Sequence, residues 1–220
     1  MITLLSDKAY SLIKKKINSC EGEYLSVRRL SKEINIGYSP VREACNRLSQ
    51  EGLIKQLPGI GYYVPKVKEK YFTEIFEYRR VVGRYVFERV FPFLTQEHVN
   101  ILSEYNDHMI ECLQNKDIQN FHKYDKKFHL LFFNLYDNSI FTNQMNNIMD
   151  RSYYCSYKTV DSVDKKKNIS AIEEHKEILK YIAAQDKEMA IQKYIEHIDN
   201  NEARIKEGYY NSKLEKSLII

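Results

Sequence analysis

Hydrophobic and polar positions divide this chain into two differently patterned parts. Over residues 6–19 apolar side chains recur at helical spacing, with Leu5, Ala9, Leu12, Ile13 and Ile17 on one side. Val27, Leu30 and Ile34 predict a short second helix, and Asn35-Ile36-Gly37 a turn after it. A third stripe follows, with Val41, Ala44, Cys45 and Leu48 at i, i+3, i+4 and i+7. Arg42, Glu43, Asn46 and Arg47 fall off that stripe and face outward. Ser39 reads as the N-cap and Pro40 as the first helical position, where a missing N–H costs nothing; Gly52 reads as the stop. Residues 53–57 and 62–65 are strand-like runs joined through Pro58-Gly59, a good turn pair. A short helix with a basic outer face and an attached hairpin is the layout of a winged helix-turn-helix, whose recognition helix enters the DNA major groove.

After a polar stretch at residues 65–70 (PKVKEK) the pattern is helical throughout, predicting an all-α bundle of six or seven helices. The fold class is therefore mainly α: a winged helix-turn-helix at residues 1–66, a linker at 67–71, a helical domain at 72–212 and a tail at 213–220.

Phe121, Tyr124, Asp125, Phe128, His129 and Phe132 mark one face of a helix over about residues 118–136, with Asp125 and His129 at i and i+4. His175 falls in a helix that opens with Ser170-x-x-Glu173, a capping-box pattern. A break at Ala184-Gln185 follows, and Asp186 caps a last helix running to about Lys206. His175 lies 11 residues before Asp186 and His197 lies 11 after it, so antiparallel packing brings both imidazoles to one height. One carboxylate and three imidazoles converging inside a bundle suit a divalent metal, zinc ahead of nickel, manganese or iron. His98, His108 and His122 lack this geometry and read as ordinary core or surface histidines. Phe72, Ile75, Phe76, Arg79, Val82 and Val86 place Arg79 on an inward stripe. A buried guanidinium needs an acidic partner or an anionic ligand, so two readings stand: a salt bridge to Glu111 or Glu174, or a grip on an effector.

Charge sharpens the division. Residues 1–66 carry 11 Lys/Arg against 6 Asp/Glu, whereas residues 67–220 carry 23 against 24. The basic excess thus sits in the part patterned for DNA, as phosphate neutralisation requires. No run of about 18 apolar residues exists to span a membrane, and the N-terminus has its charge after its apolar patch, the wrong order for a secretion signal. Cys20, Cys45, Cys112 and Cys155 are far apart and read as reduced thiols of a cytoplasmic protein.

The order Pro40-Val41-Arg42-Glu43-Ala44, Arg47-Leu48, Glu51-Gly52-Leu53-Ile54 and Gly59-x-Gly61-x-Tyr63-Val64 resembles the GntR family of bacterial transcription regulators. Asp125-x-x-Phe128-His129, Glu174-His175-x-x-Ile178-Leu179 and His197 are similar to the FCD effector domain of its FadR subfamily. The resemblance implies DNA contacts at Arg28, Ser39 and Arg42, with Asn46 and Arg47 as secondary candidates beside Tyr38 and Gly59. It also implies a divalent metal at Asp125, His129, His175 and His197, and a pocket role for Arg79 within Glu77-Tyr78-Arg79. Three positions depart from the family pattern: Tyr38 and Ile60 stand where basic residues are usual, and Gly83 where Glu is usual, which would open space for a larger effector. The expected protein is a homodimeric repressor on a short palindromic operator in double-stranded DNA, modulated by a small carboxylate at the metal. One alternative makes the metal itself the signal. A metal-dependent enzyme is the other, although no H-E-x-x-H or comparable helper motif is present.

Overall fold

The computed structural model describes residues 4–159 and 165–218. The chain forms two compact units, residues 1–68 and 69–220.

In the first unit, helices α1 (Leu5–Ile17), α2 (Val27–Ile34) and α3 (Tyr38–Gln50) pack around an aliphatic core. Val41, Ala44, Cys45 and Leu48 form the buried face of α3, and Ala9, Ile13 and Ile17 that of α1. Leu5 and Leu12, predicted to join them, are exposed, because the buried stripe is narrower than the periodic one. Helix α3 begins at Tyr38 with Gly37 as its cap, so Ser39 is inside the first turn and not the cap. Pro40 remains in that turn, where its missing N–H still breaks no helical bond. Strands β1 (Tyr24–Leu25), β2 (Lys55–Leu57) and β3 (Gly61–Tyr63) form an antiparallel sheet in the order β1-β3-β2. Two residues show no alternation, which is why β1 escaped the sequence pattern. Its approach dictates the residue at 61: Gly61 has φ +129°, and a Cβ there would sit 2.7 Å from the Leu25 carbonyl oxygen.

The predicted linker is not one. Val67 is buried and its N–H donates to Glu21 (2.8 Å), tying it to the first unit, while residues 69–71 are already helical.

Among the described residues the second unit holds six α-helices: α4 (Glu69–Val90), α5 (Gln96–Gln114), α6 (Ile118–Tyr136), α7 (Ser139–Thr159), α8 (Lys165–Ala183) and α9 (Lys187–Leu218). Aromatic rings fill its centre. Phe87 stacks on Tyr194 (4.7 Å) and meets Phe132 edge-on (4.9 Å). Helix α8 starts before Ser170, whose hydroxyl donates to the Glu174 carboxylate (3.2 Å), so the expected capping box is absent. Gln185 takes a left-handed turn (φ 56°), and the Asp186 carboxylate accepts from the Met189 N–H to cap α9. That helix runs to Leu218, well beyond Lys206 and through the expected tail up to that point; the last two residues of the tail lie outside the described residues. Among the described residues all four cysteines are buried and none forms a disulfide, and no helix is long and apolar enough to cross a membrane.

Candidate functional site

Two sites emerge, one on each unit. On the first, an open cleft lies between α2, the start of α3 and the β2–β3 wing, with Arg28, Tyr38, Arg42, Gly59 and Ile60 among its walls. Arg28, Tyr38, Ser39 and Arg42 are exposed, as a polyanion reader requires. Gly59 has φ +74° with open space around it, so the wing tip turns there without obstruction. Asn46 does not face the cleft; it accepts a short hydrogen bond from the Tyr62 hydroxyl and so ties the recognition helix to the wing. Arg47 lies apart from the cleft as well. It is paired with Asp7 (3.2 Å) and Glu51 (3.3 Å), and its guanidinium stacks over the Tyr10 ring at 4.1 Å.

In the second unit α6 contributes Asp125 and His129, α8 His175 and α9 His197, all buried. One ligand atom from each lies within 4.8 Å of the others. His197 Nε2 is 3.1 Å from His129 Nε2, His175 Nε2 is 3.6 Å from Asp125 Oδ1, and His129 Nε2 is 3.9 Å from the same oxygen. Tetrahedral zinc with bonds near 2.0–2.1 Å separates its ligand atoms by about 3.3 Å, so these spacings suit a divalent ion. Two further observations support the fit. His175 Nε2 is buried without a hydrogen-bond partner. Two imidazole nitrogens facing each other at 3.1 Å also need a proton or a cation between them.

The outer atoms of the cluster are held. His175 Nδ1 donates to Asn106 Oδ1 (3.0 Å) and its ring lies flat on Phe128 at 3.8 Å. His197 Nδ1 donates to Glu174 Oε2 (2.8 Å), and Tyr153 Oη donates to Asp125 Oδ2 (2.7 Å). This is the outer hydrogen bonding that orients metal-ligating histidines. Burial, with the neighbouring positive groups, pushes the pKa of His129 and His175 well below the ordinary value. Burial also lowers that of His197, although Glu174 pulls the other way. All three rings are therefore neutral and present lone pairs at neutral pH. Burial would raise the Glu174 pKa, but hydrogen bonds from His197 and Arg204 prevail and hold it at about 2.

Arg79 is 2 % exposed, donates to Ser152 Oγ (3.2 Å) and leaves its second terminal nitrogen without a partner. Neither predicted salt bridge forms. Glu174 is committed to His197 and Arg204, and Glu111 faces His108 near the surface. Gly83 does not open space for an effector: the Tyr194 hydroxyl fills it, 2.9 Å from where a Cβ would stand. His98 accepts the Thr95 N–H at the start of α5, a helix-capping role, and His108 stacks on Tyr124. His122 lies beside Tyr153 and Tyr157, and burial lowers its pKa to about 4. It lines a small cavity of about 40 Å³ together with Asp125, Ser152, Tyr153 and Arg204. Sequence reasoning missed Asn106 and Glu174 as partners of the cluster. Asn106 interrupts the apolar stripe of Leu102, Met109 and Leu113, a signal that was there to be read.

A winged reader in one unit and a helical bundle in the other is the architecture of a two-domain transcription regulator. Residues 5–64 match the model of bacterial regulatory proteins, gntR family, and residues 74–200 match the FCD domain. The chain belongs to the GntR family, in its FadR-type subfamily with an FCD domain. It is 24% identical over 196 residues to the gluconate operon transcriptional repressor of Bacillus licheniformis, covering 88% of this chain and 80% of that protein. It is 25% identical over 162 residues to the transcriptional repressor RspR of Escherichia coli (strain K12), covering 71% of each. The solved E. coli McbR/YncC has the same fold, with a TM-score of 0.77 at 19% identity, over 94% of this chain and 100% of that one. These families and relatives are transcription regulators and not enzymes, which removes the metal-enzyme reading.

Proposed function

We propose that the protein is a homodimeric repressor that works in the cytoplasm on a palindromic operator, and that a small carboxylate bound at a metal in the FCD domain changes its operator affinity. The observation that carries this reading is the pairing of two incomplete polar groups in one buried interior: the His₃Asp cluster and the half-satisfied Arg79. Arg79 is close enough for its charge to depress His129 and His175, and it bonds Ser152, the neighbour of the Tyr153 that holds Asp125. Asp125, His129, His175 and His197 would hold the ion, which supplies a Lewis-acidic position for an effector oxygen. The free edge of Arg79 suits a second carboxylate oxygen. Arg28, Tyr38, Ser39, Arg42 and Gly59 are the proposed DNA contacts, with Asn46 holding the wing in register and Arg47 serving the fold. Dimerisation follows from the reading mode, since two recognition helices must meet major grooves about one turn apart. Repression accords with the two repressors that this chain resembles.

A second reading, in which the metal alone is the signal, draws support from the cavity beside Asp125, which at about 40 Å³ has room for a water or two and not for an organic acid. Elemental analysis of untagged protein purified without chelator tests both. The expected result is about one divalent ion per chain, lost in His175→Ala with the dimer retained. Operator titrations then separate the readings: affinity that follows free zinc without any organic acid supports the metal signal, and affinity that moves only when a carboxylate is added supports the metabolite. Protein that takes up no metal even on reconstitution overturns both.

A further inference from the structure

The most fully built polar arrangement outside the four candidate ligands joins α8 to α9. Glu174 uses both oxygens: Oε1 accepts from Arg204 Nη1 (2.6 Å), Asn200 Nδ2 (3.1 Å) and Ser170 Oγ (3.2 Å), and Oε2 accepts from Arg204 Nη2 (3.1 Å) and His197 Nδ1 (2.8 Å). The Arg204–Glu174 contact is a two-pronged fork, which fixes the carboxylate in plane as well as in position. A carboxylate that immobile leaves His197 one choice. Its proton must sit on Nδ1, because Glu174 offers only lone pairs, and its Nε2 then carries a lone pair toward His129 and Asp125.

We propose that Glu174, clamped by Arg204, is the positioning residue that sets the tautomer and orientation of His197 and thereby makes it a metal donor. The proposal rests on the reading of the cluster as a metal site. His175 is held differently, by a neutral amide, so the two rings differ in basicity: a carboxylate on Nδ1 makes His197 the stronger donor of the pair. Asn200 and Ser170 complete the hydrogen-bonding shell of the carboxylate and hold it in place against His197.

A plain interhelical clamp would produce the same contacts, so the test needs a readout that clamping does not move. Zinc affinity of the full-length, metal-free chain is measured by competition with a chromophoric chelator. Expected values are about tenfold weaker for Glu174→Gln, whose amide oxygen still accepts from Nδ1, and about a hundredfold weaker for Glu174→Ala. Both variants within twofold of the parent, with helix content retained, overturn the proposal. Should either variant fail to fold, the unaltered metal-free chain decides by nitrogen-15 NMR of its imidazoles, with the His197 signals assigned by their loss in His197→Gln. A neutral His197 protonated at Nδ1 supports the proposal, and one protonated at Nε2 overturns it. A parent that binds no zinc removes the metal reading instead, while the tautomer measurement still tests the role of Glu174.

Discussion

The two units treat the same side chain in opposite ways. Arg42 stands in water on α3 with no buried charge to compensate, so its exposure costs almost nothing and its guanidinium stays available to phosphate or a base edge. Arg79 is sunk in the bundle with one terminal nitrogen unmatched, a state that costs several kcal/mol unless something arrives to pair it. A surface reader works by charge it can leave solvated. On the reading proposed above, the interior unit works by polar atoms it leaves unsatisfied, and the surrounding packing has to supply the stability that they withhold.

Phe128→Ala should sharpen this contrast most. Its ring is fully buried and backs His175, so truncation should destabilise the bundle by about 3–5 kcal/mol and loosen the cluster while leaving residues 1–68 intact. Denaturant unfolding read with unit-resolved amide exchange would show this, and equal loss of protection in both units would refute it. Acid should separate the units next. All six histidines lie in the second unit. His129, His175 and His197 have lowered pKa values when folded, whereas unfolded histidine takes its proton near pH 6.5. The stability of the metal-free bundle is therefore fully present above about pH 6.5 and falls below it, by about 1.4 kcal/mol per pH unit for each ring that stays neutral. The expected outcome is a bundle that melts first between pH 6.5 and 5, with the winged unit still protected from exchange.

Smaller effects belong to the winged unit. Arg42→Ala should weaken operator binding by about 1–3 kcal/mol with no change in thermal stability, as read by anisotropy titration. Arg47→Ala should do the reverse on a smaller scale, with a stability loss of about 1 kcal/mol or less and nearly unchanged operator affinity, because its partners Asp7, Glu51 and Tyr10 belong to the protein. A larger operator effect for Arg47 than for Arg42 would reverse the assignment of the α3 faces.

The sequence was most legible where one periodic stripe decides an element. Val41, Ala44, Cys45 and Leu48 defined the inner face of α3 without help, and the spacing about Asp186 foretold that His175 and His197 meet, their rings 4.6 Å apart. It was least legible where a partner from a distant element decides. Nothing near Gly83 announces that Tyr194 fills its space, and nothing near Arg79 reveals that Glu174 is already committed elsewhere. Helix ends fared worst, since the start of α8 and the reach of α9 depend on polar runs without a stripe.

The reach of α9 has a mechanical meaning. His197 sits about a third of the way along a 32-residue helix that continues unbroken to Leu218, about 32 Å further along the axis at 1.5 Å per residue. A rigid rod pivoting near one end magnifies what happens there. A tilt of only about 5° at His197 carries the far end of α9 through about 3 Å, so a displacement of one side chain becomes a movement the size of an atom's diameter at the end of the helix.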